Sequence, residues 1–98
     1  MEKKIKIFIT GSSGYIGSNI LSYLSKLQKY DITCLEHLKT NSPRPQNVNY
    51  INGNILEPEK FENFIKGSDI FIHTAAEVNF LNSKKLIQII FESLKKIL

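Results

Sequence analysis

Apolar and polar positions change their spacing in blocks along the chain, and the blocks predict strands that alternate with helices. Ile5-Lys6-Ile7-Phe8-Ile9 is an apolar, β-branched run that predicts a strand over residues 4–10. The spacing then becomes helical, which predicts a helix over residues 15–28. The apolar stripe expected to bury that helix comprises Ile16, Ile20, Leu21, Leu24 and Leu27. A strand followed directly by a packed helix is the first half of a βαβ unit.

Further strands are predicted where short apolar runs are bounded by polar or turn-forming residues. They cover residues 32–36, 49–52 and 69–73. Pro43 and Pro45 exclude regular structure from the loop that separates the second strand from the third. The fourth strand is a continuous apolar run, which is typical of a strand covered on both faces.

A second helix is expected between the third and fourth strands. Pro58 suits its first turn, and Gly67 ends it. Phe61, Phe64 and Ile65 are expected to form its buried face. The element order predicts an α/β fold, a partial Rossmann (doubly wound) parallel sheet of four strands in the order 3-2-1-4 with helices on both faces.

A last helix is predicted over residues 83–98. Its apolar residues cover more than half of its circumference, whereas a helix packed only on a sheet needs one apolar stripe. A second copy of the chain, a partner protein or further chain would cover the additional side. The alternative is a hydrophobic helix end that frays.

The turn between the first strand and the first helix has the sequence Thr10-Gly11-Ser12-Ser13-Gly14-Tyr15-Ile16-Gly17. Gly11 would make a tight turn, Gly14 would let a pyrophosphate approach bare backbone, and Gly17 would let the helix lie against the strand. Ser12 and Ser13 would add hydroxyl and N–H donors. The helix start offers unpaired N–H groups and a partial positive charge, which suit a pyrophosphate. The alternative is an ordinary glycine-rich turn.

Glu36 ends the second strand, about twenty residues after the last glycine of that turn, where a dinucleotide site needs an acid for the adenosine ribose. A carboxylate accepts from both ribose hydroxyls and repels a 2′-phosphate, so NAD is favoured over NADP. Lys39 and Arg44 lie downstream and weaken that preference. The alternative for Glu36 is a solvated acid at a strand end.

Composition narrows the remaining possibilities. The chain has 98 residues, enough for one domain with little room for a separate substrate domain. No apolar run is as long as a membrane span and the N-terminus has no signal-peptide pattern, so we expect a cytoplasmic location. The net charge of +4 comes from scattered lysines without an aromatic and basic cluster, so we expect no nucleic-acid partner. No metal site is assigned. Cys34 is the single cysteine, which excludes an internal disulfide, and we expect a buried inert thiol.

Four segments in this order resemble the extended short-chain dehydrogenase/reductase family, also called the NAD-dependent epimerase/dehydratase family. The resemblance runs along essentially the whole chain. The glycine-rich turn resembles the family's T-G-x-x-G-x-x-G signature. The other three segments are Leu35-Glu36-His37-Leu38, similar to the acid that ends strand two, Gly53-Asn54-Ile55, similar to G-D-[IVL], and His73-Thr74-Ala75-Ala76, similar to H-x-A-A. Glu36 and Asn54 each stand where Asp is usual.

The resemblance implies a role for each matching position. The pyrophosphate would be bound largely through backbone atoms by Gly11, Gly14, Tyr15 and Ile16, beside Ser13 and Gly17. Glu36 would bind the adenosine ribose, and Asn54 and Ile55 would flank the adenine. Thr74, Ala75 and Ala76 would line the approach to the nicotinamide ribose. An Asn keeps the adenine contact through its carbonyl oxygen, more weakly than an Asp. His73 would be structural rather than a catalytic base, and His37 a loop residue.

Enzymes of this family move a proton with a Tyr-x-x-x-Lys pair, in which the lysine lowers the tyrosine pKa. The residues four after the tyrosines are Asn19, Leu27, Cys34 and Asn54, so no such pair is present and no catalytic residue is assigned. We therefore expect residues 1–98 to be the N-terminal part of an NAD(P)-binding Rossmann domain, a fragment that is not catalytic alone. The commonest substrate type of the family is a nucleotide sugar.

Two alternatives remain open. The chain would be a stand-alone NAD(P)-sensing or interaction module that dimerises through its C-terminal helix, or a Rossmann-type reductase in which catalysis does not use a tyrosine.

Overall fold

The computed structural model describes residues 3–12, 14–36, 44–54, 57–74 and 88. Their elements, in chain order, are β1 (Ile5–Thr10), α1 (Tyr15–Lys26), β2 (Tyr30–Glu36), β3 (Asn49–Asn52), a 3₁₀ turn (Pro58–Phe61), α2 (Glu62–Gly67) and β4 (Ile70–His73). The four strands form one parallel sheet in the order β3-β2-β1-β4. The predicted fold class and strand order are confirmed.

The bounds of the elements differ from the predicted ones by a few residues. β3 has the predicted bounds, whereas β2 begins at Tyr30 and α1 ends at Lys26. The second helix starts as a 3₁₀ turn at Pro58 and becomes α-helical at Glu62. The predicted helix over residues 83–98 lies outside the described residues, except for the helical Gln88.

β1 lies in the middle of the sheet and is buried on both faces. Ile7 and Ile9 pack in the cluster that α1 covers, together with Leu21. Phe8 points to the opposite face, because successive side chains of a strand alternate, and it packs on Phe61 of the second helical segment. The two faces therefore have separate hydrophobic cores, as expected for a doubly wound sheet.

The buried face of α1 matches the predicted stripe only in part, since Leu21 is buried and Ile20 and Leu24 are half-buried. Gly17, Leu21 and Ser25 are the buried residues of this helix, whereas Ile16 is 65% exposed and Leu27 is 40% exposed. The prediction that Ile16 and Leu27 are buried was wrong. The reason is that the small residues Gly17 and Ser25 lie in one i, i+4, i+8 row with Leu21. This row lets the helix approach the sheet closely, so the larger apolar residues outside it are turned outward.

β4 is also less covered than predicted. Ile70 is 44% exposed, and Phe71 and Ile72 are only half-buried. Within the described part of the chain β4 pairs with β1 alone, so it lies at an edge of the sheet. Phe64, expected on the buried face of α2, is 45% exposed, although its ring stacks on that of Phe8.

Among the residues that the structure describes, none of the helices has both the length and the hydropathy of a membrane span.

Candidate functional site

The carboxyl ends of all four strands lie at one edge of the sheet. Thr10 is in register with Leu35 on one side and with His73 on the other, and Glu36 is in register with Asn52. In open parallel sheets, ligands bind outside this edge, at the point where the strand order reverses. Here the order reverses between β1 and β4, so the glycine-rich turn follows the strand at the reversal.

Gly11 makes the turn that leaves β1. Its φ of +78° is in the left-handed region, which favours glycine. Its carbonyl oxygen accepts a hydrogen bond of 3.1 Å from the backbone N–H of Gly14. The predicted role of Gly11 in a tight turn is therefore what the backbone shows.

Gly17 is the point of closest approach between α1 and that turn. A Cβ at position 17 would lie 2.0 Å from the Gly11 carbonyl oxygen and 2.7 Å from the Thr74 hydroxyl oxygen. Both distances are too short for any side chain, so the first turn of α1 can hold its position only with glycine here.

The start of α1 leaves backbone donors unpaired within the helix. Among the described residues, the first intrahelical bond is donated by the N–H of Ser18 to the Gly14 carbonyl oxygen, so the N–H groups of Tyr15, Ile16 and Gly17 precede this ladder. No side chain caps the helix at Gly14, and its first turn contains no acidic residue. The helix dipole and these donors together favour an anion.

Gly14 differs from Gly17 because the described part of the chain does not crowd it. It is exposed, and a Cβ there would lie 3.4 Å from the Gly11 carbonyl oxygen, at ordinary contact distance. Its backbone leaves room for a bound group to approach directly. The side chains of Tyr15 and Ile16, which follow it, are 86% and 65% exposed.

Thr74 connects the end of β4 to the glycine-rich turn through hydrogen bonds. Its N–H donates to the Thr10 carbonyl oxygen at 3.0 Å, and its hydroxyl is 2.8 Å from the same oxygen and 3.1 Å from that of Gly11. Thr74, which was predicted to line the approach to the nicotinamide ribose, therefore bonds with its hydroxyl inside the turn. Ala75 and Ala76 lie outside the described residues.

A second cross-strand bond lies beside it. The Thr10 hydroxyl oxygen and Nδ1 of His73 are 2.6 Å apart, and the His73 ring stacks on that of Phe71. Partial burial lowers the pKa of His73, so its neutral form is favoured. These contacts agree with the prediction of a structural histidine at the strand end.

Ser12 faces the interior and not the space outside the turn. It is 7% exposed, and its hydroxyl lies near the Cys34 thiol of β2, whose pKa it lowers against the larger effect of burial. The expectation that its hydroxyl would serve a phosphate was wrong, because β2 runs directly beside the turn. Burial raises the pKa of Cys34 to about 11, which makes it the inert thiol that was predicted. Ser13 lies outside the described residues.

Glu36 is ion-paired instead of solvated. Its Oε2 accepts from a guanidinium NH of Arg44, and only 15% of its side chain is exposed. The guanidinium carbon of Arg44 lies 3.8 Å from the ring centroid of Tyr50, and the Tyr50 hydroxyl donates to the Pro45 carbonyl oxygen at 2.7 Å. The alternative of a freely solvated acid is therefore wrong. His37 and Lys39 lie outside the described residues.

Gly53 joins the end of β3 to that of β2. Its N–H donates to the Glu36 carbonyl oxygen at 2.8 Å, which places the next residue, Asn54, beyond the same sheet edge. Asn54 is half-buried, and its backbone carbonyl oxygen accepts from the backbone N–H of Glu57 at 2.9 Å. Ile55 lies outside the described residues.

The family model of the NAD dependent epimerase/dehydratase family matches residues 7–93, which include all of these strand ends. The chain belongs to this family. The resemblance carried by the four sequence segments is confirmed.

Relatives in the family are much longer than this chain. A dTDP-D-glucose 4,6-dehydratase of Dictyostelium discoideum is 37% identical over 91 residues, which cover 82% of this chain and 21% of the relative. The chain spans 21% to 26% of the lengths of the curated relatives that it matches.

Two solved structures show the same fold. The dTDP-glucose 4,6-dehydratase of Bacillus anthracis in complex with NAD is 26% identical, with a TM-score of 0.67, over 90% of this chain and 34% of that one. The enzyme WbmH of Bordetella bronchiseptica in complex with NAD⁺ is 19% identical, with a TM-score of 0.70, over 93% of this chain and 36% of that one. The second likeness concerns the fold alone.

Sequence reasoning missed two features of this epimerase/dehydratase-family site. The bond between Thr10 and His73 had a usable signal, since the predicted strand order puts the ends of the first and fourth strands side by side. The contact of Arg44 with Tyr50 had none, because it depends on the path of an irregular loop.

Proposed function

We propose that the chain binds a nicotinamide dinucleotide, with the pyrophosphate against the backbone of the glycine-rich turn. The observation that carries the proposal is the start of α1, where three N–H groups precede the hydrogen-bond ladder of the described residues and the first helical turn contains no acidic residue. The residues fit such a group, because Gly14 leaves its backbone open and Gly17 brings the helix end close to β1.

The dinucleotide is NAD in preference to NADP. Glu36 ends β2 at the same sheet edge, and an acid there favours the ribose hydroxyls of NAD over a 2′-phosphate. Asn54, beyond the end of β3, would contact the adenine, and Thr74 would lie near the nicotinamide ribose. These assignments follow the family's pattern at matching positions.

The chain supplies cofactor binding and not the proton transfer of the reaction. None of its tyrosines has a lysine four residues later, and it spans 21% to 26% of the lengths of its curated relatives. We place residues 1–98 as the cofactor-binding portion of an epimerase/dehydratase-like oxidoreductase. The dTDP-glucose names of two relatives support a nucleotide sugar as the substrate of the whole enzyme.

Isothermal titration calorimetry of the purified chain with NAD tests the binding. We expect a saturable single-site isotherm that Gly14→Ala weakens strongly, because a methyl group would occupy the space of the pyrophosphate. Gly67→Ala is the matched control, since a Cβ there meets nothing within 4 Å and the site is at the end of α2. Absence of binding by the folded protein up to about 1 mM of NAD and of NADP would refute the proposal.

A further inference from the structure

Glu36, whose carboxylate is expected to select the cofactor, forms an ion pair with Arg44. Arg44 donates to Oε2 of Glu36, the atom that would otherwise be free for a ribose hydroxyl. We propose that Arg44 is a second specificity-determining residue of the ribose site. Its guanidinium allows a 2′-phosphate to bind and keeps the preference for NAD over NADP small. This inference rests on the proposed dinucleotide binding.

The guanidinium has a second contact besides Glu36. It lies over the face of Tyr50, with 3.8 Å between the guanidinium carbon and the ring centroid. Tyr50 is itself fixed, because its ring packs against the core cluster under α1 and its hydroxyl donates to Pro45. The side chain of Arg44 remains 35% exposed, so a ligand can reach it.

The charges at the site explain why a 2′-phosphate would be tolerated. An isolated carboxylate repels a phosphate dianion, but the pair of Glu36 with Arg44 has no net charge. A guanidinium has five N–H donors, so the bond to Glu36 leaves it the capacity to donate to phosphate oxygens. The same bond competes with the ribose hydroxyls of NAD for the carboxylate. Loss of Arg44 should therefore weaken the binding of NADP and leave the binding of NAD unchanged or stronger.

The experiment compares the dissociation constants of NAD and NADP for the wild type and for Arg44→Met by calorimetry. Methionine keeps an apolar contact with the Tyr50 ring and removes the charge. We expect the wild type to bind NAD no more than about tenfold tighter than NADP, and Arg44→Met to widen the ratio by a further tenfold or so, with NAD binding unchanged or tighter. Arg44→Lys, which keeps the charge, should widen the ratio much less.

Lys26→Met is the control for net charge, because Lys26 lies in the last turn of α1, at the far end from the glycine-rich turn. It should lower the affinities for both cofactors little and leave their ratio unchanged. A ratio that changes by less than about twofold in folded Arg44→Met, or that changes equally in Lys26→Met, overturns the inference while dinucleotide binding stands. If the wild type binds neither cofactor, the proposed function itself fails.

Discussion

Gly17 lies so close to Gly11 that a Cβ on the former would be 2.0 Å from the carbonyl oxygen of the latter. The two glycines belong to one turn, and their contact fixes how α1 leaves the end of β1. The amides at the start of the helix are directed by this contact, so the packing of two glycines sets the geometry of the candidate anion site.

Gly17→Ala should destabilise the fold. The methyl group would displace α1 from the turn, at a cost of about 2–3 kcal/mol that outweighs the gain in helix propensity. Urea unfolding followed by circular dichroism measures the change. Gly67→Ala is the control and should be neutral or slightly stabilising, because its Cβ would meet nothing. Equal stability of Gly17→Ala and the wild type would contradict the close approach.

Thr74→Val should loosen the turn without changing the side-chain shape. The variant loses the hydroxyl that lies within hydrogen-bond distance of the carbonyl oxygens of Thr10 and Gly11, so we expect a loss of about 1–2 kcal/mol of unfolding free energy. Hydrogen exchange should accelerate at the Gly14 amide, which bonds to Gly11. Thr74→Ser retains the hydroxyl and should lie closer to the wild type. A Thr74→Val protein with wild-type exchange would show that the hydroxyl contributes nothing to the turn.

Cys34 should resist thiol reagents in the folded protein. Its side chain is fully buried and burial raises its pKa to about 11, so the thiolate is scarce and inaccessible near neutral pH. Labelling with a chromogenic disulfide should be slow in buffer and fast in urea. A ligand that stabilises the folded state should slow it further. Rapid labelling under native conditions would mean that β2 is not covered as described.

His73 should make stability depend on pH. Its pKa in the folded state lies below the ordinary value of 6.5, so the unfolded chain binds the proton more readily. The contribution of neutral His73 to the free energy of unfolding is therefore complete above about pH 6.5 and is lost as the pH falls through the folded-state pKa.

His73→Asn removes this titration and keeps a polar atom near the Thr10 hydroxyl. Unfolding free energies at about pH 7.5 and about pH 5.5 should differ less for the variant than for the wild type. Carboxylates titrate in both proteins and cancel in the comparison. Identical pH dependence in the two proteins would exclude a contribution from this ring.

The strand order and the glycine positions could be predicted from the sequence because they follow from local rules. A strand, a glycine-rich turn and a helix leave few topologies open, and Gly11 and Gly17 have the conformation and the packing that the motif requires. The burial of α1 could not be predicted equally well, because Ile16 is apolar yet 65% exposed. Periodicity reports which side chains are apolar and not how closely a small residue lets the helix approach.

Residue types at short spacings were sufficient to establish the α/β class, the order of the strands and the family. Two contacts became visible only in the folded chain: Ser12 faces inward to Cys34, and Arg44 lies on Tyr50 and neutralises Glu36. The physical reason is that these contacts join segments whose relative positions depend on the packed sheet and on the path of a loop.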